Sequence, residues 1–219
     1  MGKKILFIAT NVDQWEDGQK TGLWLQEFVE PATECKQAGF EVTGASIKGG
    51  RIPIDPNSYS NELPRVWDGV MEPIHDTEKL ENIDLNDYAG VFFTGGHGTM
   101  FDFPDQEVIH SVLQHFVEKD KVIGAVCHGP AAFVGAKDSS GDPFIKGKNI
   151  TGFSTKEEKE MDFTDKVPFL LEDRLKEEGA NFQTAAPFEE HVEVDGKLVT
   201  GQNPQSSLAT AEAFLKKLT

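Results

Sequence analysis

Thiols are scarce in this chain: Cys35 and Cys127 are the only cysteines among 219 residues. Two cysteines exclude a disulfide scaffold and cannot furnish a thiolate zinc cage. Basic charge is also short, with 21 Lys and Arg against 37 Asp and Glu and a net charge of −16. That balance argues against nucleic acid or an anionic membrane as the main partner, because both are held by clustered Lys and Arg. Long apolar runs are missing too. Ile5-Leu6-Phe7-Ile8-Ala9 follows a basic start but stops at Thr10-Asn11, too early for a signal peptide or a transmembrane helix. The expectation is a cytoplasmic protein whose thiols stay reduced. The six histidines are scattered, and no His-Glu-x-x-His occurs, so neither a metal nor a cofactor is expected.

What is present points to a packed α/β domain. Hydrophobic residues make up 38% and include 16 Phe, too apolar for general disorder. The length suits one domain, taken as residues 1–219, with a sizeable core. Continuous apolar runs predict strands at Lys4–Thr10, Phe40–Ile47, Tyr88–Thr94 and Lys121–Val126. Apolar residues at helical spacing, with Gly39 and Gly179 as stops, predict helices over Leu23–Ala38, Asp105–Lys119, Val167–Glu178 and Pro204–Leu218. A short helix is expected after Cys127, a helical turn at Thr77–Leu80, and hairpins around Lys146-Gly147-Lys148 and Asp195-Gly196. Lys48–Pro73 reads as a loop long enough to serve as a lid or a dimer contact. The rhythm implies a mainly parallel sheet with helices on both faces.

The sharpest feature is Ala125-Val126-Cys127-His128-Gly129-Pro130. A buried strand ends at a cysteine flanked by small residues, the spacing of a nucleophile elbow. A helix starting there is expected to lower the thiol pKa and to offer backbone N–H donors. Cys35 sits mid-helix without such flanks and reads as structural. A second strand ends at Thr94-Gly95-Gly96-His97-Gly98. Beside an elbow, the N–H groups of Gly96 and His128 are placed to form an oxyanion hole.

At these residues the chain resembles the ThiJ/PfpI superfamily, which has a class I glutamine-amidotransferase-like fold, and within it the heat-shock-chaperone and glutathione-independent glyoxalase branch. The resemblance extends to Asp17–Gly22 with Glu27, to Gly95–Asp102, to Ile150–Phe153 and to Val199–Pro204, so it spans nearly the whole chain. It implies a three-layer flavodoxin-like sandwich and a homodimer. It also implies Cys127 as nucleophile, His128 as base and Glu158 as the acid that orients the base, with Glu157 as a rival in the same charged run. Glu27 is implied as a protonated carboxyl beside the thiol, and Gly96, His97 and Gly129 as contacts to oxyanion or substrate.

The implied activity converts a small dicarbonyl, methylglyoxal, to D-lactate without glutathione, or repairs early glycation adducts on protein or nucleotide amines. Other readings remain open. They are a stress chaperone that holds unfolded proteins, an amidase or peptidase in which His191-Val192-Glu193 supplies the histidine, and a redox sensor at Cys127.

Overall fold

The strand β1 (Lys4–Ile8) is apolar at every position after Lys4 because both of its faces are covered. Alternation sends Ile5 and Phe7 into one core layer and Leu6 and Ile8 into the other. The strands β4 (Tyr88–Phe93) and β5 (Val122–Val126) follow the same rule. Phe92 and Val126 join the first layer, and Phe93 and Ile123 the second. The other strands of this sheet are β2 (Glu41–Ser46), β3 (Glu78–Lys79), β8 (Val192–Asp195) and β9 (Leu198–Gly201). The computed structural model, which describes residues 4–59, 67 and 69–218, orders these seven strands β3-β2-β1-β4-β5-β9-β8. All neighbours are parallel except β8, which returns antiparallel along β9. No helix among the described residues is long and apolar enough to cross a membrane.

Helices close both faces. On one side lie α1 (Gln26–Gln37) and α6 (Ser207–Leu218), and Cys35 packs there among aliphatic and aromatic neighbours. On the other, after the single-turn α2 (Thr99–Asp102), lies α3 (Glu107–Glu118), which buries Ile109, Val112, Leu113 and Phe116 at helical spacing. This is the expected three-layer α/β sandwich. Phe7 stacks on Phe92 at 5.1 Å, and Phe214 of α6 meets the edge of Phe92 at 5.6 Å. Gly124 pairs with Phe92 across β4 and β5, and any Cβ there would run into both rings.

Several local expectations change. Thr77–Leu80 does not form a helical turn as its first element. Thr77 exchanges both backbone hydrogen bonds with Gly50, which draws the chain into β3 at the sheet edge before a 3-10 turn at Leu80–Asn82. The turn at Gly147 does not close a hairpin. The strand after it, β6 (Asn149–Ile150), pairs in parallel with β7 (Asn181–Phe182), so the return path runs through α4 (Thr155–Glu160) and α5 (Leu171–Glu177). The helix expected from Val167 begins at Leu171, beyond Pro168. The helix expected from Leu23 begins at Gln26, because Leu23 is bonded to Pro53 and Asp55. The predicted loop Lys48–Pro73 holds a 3-10 turn at Pro56–Ser58, and its residues 60–66 and 68 lie outside the described residues.

Phe214 is fully buried between α6 and the sheet. Phe214→Ala is expected to cost about 3–5 kcal/mol. Urea unfolding of the two proteins measures the difference, and a loss below about 1 kcal/mol is incompatible with this packing.

Candidate active site

β4 and β5 are neighbours, so their carboxyl ends bring Thr94–Gly98 and Cys127 together. Cys127 has φ 58°, in the left-handed region that a non-glycine residue occupies only when its surroundings impose it. Both of its backbone groups are held. Its N–H donates to Gly201 O at 2.9 Å, and its carbonyl accepts from Phe153 N–H at 2.8 Å. The flanks are small for steric reasons. A Cβ on Gly95 would collide with Glu27 and Cys127, and one on Gly129 would collide with the Phe93 carbonyl. The segment after the elbow is a five-residue 3-10 helix, Gly129–Phe133, with Pro130 in its first turn.

His128 follows directly. Its Nδ1 lies 3.4 Å from Cys127 Sγ, and its Nε2 lies 2.8 Å from Glu158 Oε2. The other Glu158 oxygen lies 2.7 Å from His97 Nε2. Two imidazoles therefore clamp one carboxylate, and their rings sit 4.2 Å apart. Trp15 at 4.9 Å and Phe163 at 5.1 Å wall in His97 from outside. His97 is thus a buried partner of Glu158 as well as part of the pocket wall.

The neighbours Glu157 and Glu158 diverge. Ser154 caps α4 by accepting from Glu157 N–H, while the Glu157 carboxylate accepts from Ser154 N–H and hydroxyl. It also accepts from Phe188 N–H and from the amides of Gln202 and Asn203. Those donors occupy Glu157, and Glu158, one residue on, faces the histidines.

Glu27, on the first turn of α1, is fully buried behind Cys127. Neither of its carboxyl oxygens has a well-formed hydrogen bond among the described residues. Burial pushes its pKa well above the ordinary carboxyl value, and the nearby Cys127 thiol and Gly95 N–H pull back less strongly. The Cys127 thiol is also pushed up, first by burial and then by Glu27, Glu157 and Glu158. The expected lowering by a helix N-terminus is therefore not found: a single short 3-10 turn does not offset desolvation. Burial works against the charge on Glu158 as well, yet His128 and then His97 outweigh it and hold the carboxyl at about 2. His97 is lowered by burial and by His128. Cys35 is pushed up to about 12 by burial, then by Glu34, as suits a thiol without a chemical task.

A pocket of about 280 Å³ opens over the sulfur. Gly96, His97, Cys127 and His128 form its floor. Gly129, expected as a substrate contact, instead lies behind the elbow against the Phe93 and Thr94 carbonyls, where its lack of a side chain lets the turn close. His191 is not part of this wall, and its ring faces Glu193. Sequence reasoning missed the upper wall of Trp24, Met161 and Phe188. No spacing signal marks these residues, since they come from three distant segments. Among the described residues, His97, His128 and Glu158 also place three possible metal-ligand atoms within 4.8 Å of one another. Linear spacing hid that cluster, because two strand ends and a helix create it. Both Glu158 oxygens lie within hydrogen-bond distance of these imidazoles, so the three groups are paired with one another in this arrangement.

Protonation of Glu27 has a measurable consequence. A carboxyl whose folded pKa is raised binds more protons in the folded state, so its contribution is intact below the unfolded value of 4.5 and is lost as pH rises above it. Glu27→Gln mimics the protonated form and escapes that loss. Its stability relative to wild type is expected to increase from pH 4 to pH 8 in urea titrations. A difference that stays constant with pH contradicts a buried neutral carboxyl.

The sequence profile of the DJ-1/PfpI family matches residues 19–217. The glutathione-independent glyoxalase HSP31 of Saccharomyces cerevisiae is 32% identical over 95% of both chains. The crystal structure of glyoxalase III from Candida albicans superposes with a TM-score of 0.85 at 31% identity, covering 98% of this chain and 96% of that one. The Rapid Encystment Protein 24 kDa of Francisella tularensis superposes with a TM-score of 0.94 at 39% identity over the full length of both. With a match over nearly its whole length and the strained cysteine elbow at the carboxyl end of a parallel sheet, this chain belongs to the DJ-1/PfpI family.

Proposed function

We propose that the protein is a cysteine-dependent, glutathione-independent glyoxalase that converts methylglyoxal to lactate. One observation carries the reading: a strained cysteine in a partly apolar pocket, bonded to a His–Glu pair and backed by a buried carboxyl. Relatives that share the family and about a third of the residues are named for that activity.

The chemistry follows from these groups. The Cys127 thiol is neutral at rest, so attack on the aldehyde carbon is coupled to loss of its proton to His128 Nδ1. The carbonyl electron pair moves onto oxygen, and proton return gives a hemithioacetal. Glu158 steadies the imidazolium formed in that step. The hydrogen on the former aldehyde carbon then leaves as a proton while the ketone oxygen takes one up, giving an enediol. The former ketone carbon is then protonated as the hydroxyl on the sulfur-bearing carbon gives up its proton, leaving a thioester beside an alcohol. One carbon is oxidised and its neighbour reduced, so no external redox partner is needed. Glu27, neutral and next to the sulfur, serves as the proton carrier between these positions. Water adds to the resulting thioester, the C–S bond breaks, and lactate leaves with the thiol restored. Backbone N–H groups at Gly96 and His128 are the proposed donors to the transient oxyanion.

Purified protein is expected to form lactate from methylglyoxal without added thiol, and Cys127→Ala to abolish it. Glu158→Gln should lower kcat by about 10²–10⁴-fold, whereas Cys35→Ser should leave it near wild type. Lactate production by the Cys127→Ala protein would refute the covalent route.

A further inference from the structure

Phe188 stands out among the residues around the pocket. It has φ 60°, a left-handed backbone that a bulky residue rarely adopts. Its side chain is 36% exposed, yet it lines the mouth of the pocket above Cys127. The ring centroid lies 6.4 Å from that of Phe153, which in turn packs on His128.

The loop that carries Phe188 is fixed from beneath by buried polar side chains. Phe188 N–H donates to Glu157 Oε1 at 2.9 Å. Ala185 N–H donates to Gln202 Oε1 at 2.8 Å, and the Asn203 amide donates to Glu189 O at 2.8 Å. Glu157, Gln202 and Asn203 are all fully buried, and both amides also donate to Glu157. The hydrogen bonds these three side chains make among the described residues go to the loop, to Ser154 and Ser206 and to one another, not to the thiol or the His–Glu carboxylate. Their shared effect is to hold a backbone turn that presents one aromatic ring to the pocket.

The size of the pocket gives that ring a task. A volume of about 280 Å³ holds about nine waters at about 30 Å³ each. A three-carbon dicarbonyl has five heavy atoms and leaves about half of that space unfilled. The remaining wall is mainly apolar, made by Trp24, Phe153, Met161, Phe188 and Pro204, with Gln26 and Gln205 as its polar members. With the aldehyde carbon at the sulfur, a substituent on the ketone carbon extends toward that wall.

We infer that Phe188 is a specificity-determining residue, which favours 2-oxoaldehydes carrying an apolar substituent on the ketone carbon over glyoxal. The inference rests on the glyoxalase reading for its substrate, but the apolar wall itself does not.

Two measurements separate them. The first is kcat/KM for 2-oxoaldehydes bearing hydrogen, methyl or n-butyl on the ketone carbon. The second is the rate of Cys127 alkylation by chloroacetamide and by N-butylchloroacetamide, followed by mass spectrometry. In wild type, both series should favour the butyl compound. In Phe188→Ala and Phe188→Gly, the butyl-to-hydrogen ratio should fall about tenfold in each. Leu208→Ala, an apolar change at a somewhat more exposed position on α6, should leave both ratios alone. Phe188→Gly should melt above Phe188→Ala, because glycine accepts the left-handed backbone without strain. Unchanged ratios in folded Phe188 variants overturn the inference. A wild type that turns over none of the dicarbonyls, with alkylation selectivity still lost in the Phe188 variants, overturns the glyoxalase reading and supports the wall.

Discussion

The left-handed turn at Cys127 is the constraint on which the rest of the site depends. A strained residue persists only where its surroundings over-determine it. Here β5 fixes the chain before the turn, and the Cys127 N–H and carbonyl are tied to Gly201 and Phe153 after it. Those two ties reach different parts of the sequence. Gly201 ends β9 and leads into Gln202 and Asn203, while Phe153 precedes the capping residue of α4. The same backbone bonds that hold the sulfur in place therefore set the origin of both the Glu158 helix and the platform under Phe188.

α4 then divides the work between adjacent acids. Successive residues on a helix point about 100° apart, so Glu157 and Glu158 face different surroundings. Glu157 collects backbone and amide donors and organises the loop at the pocket mouth. Glu158 takes two imidazoles and organises the floor. A shift of α4 would disturb both, which couples the shape of the pocket entrance to the alignment of His128. The capping box at Ser154 fixes the start of this short helix, and α4 is too short for propensity alone to hold it.

Much of this was legible in the sequence. The apolar runs ending at Thr94 and Val126 announce buried parallel strands, and Ala125 and Gly129 around Cys127 announce a tight turn. Cys35 could be separated from Cys127 by its helical context alone. Partners beyond those strand ends were harder to read. The clamp of His97 on Glu158 joins residues 61 positions apart and has no local signature. β6 was misread as half of a hairpin because its true partner, β7, lies on the far side of two helices. The thiol pKa was misjudged for a related reason: helix termini are visible in a sequence, but the burial that outweighs them is a property of the assembled core.

The placement of acids gives the net charge of −16 a meaning that composition alone does not. Three of the 37 acidic residues, Glu27, Glu157 and Glu158, are almost wholly removed from water around a single sulfur. Were all three ionised, their field would oppose a thiolate. Glu27 escapes by keeping its proton, and Glu158 spreads its charge over two imidazoles. Burial and these acids together push the thiol up and disfavour a resting thiolate. In the proposed route it becomes nucleophilic only as a proton moves to His128 while an electrophile occupies the pocket. Such a site suits a carbonyl substrate that carries no charge of its own. An anionic substrate would add to the field that the buried acids already impose, whereas a neutral dicarbonyl lets negative charge appear first on its own oxygen, away from them.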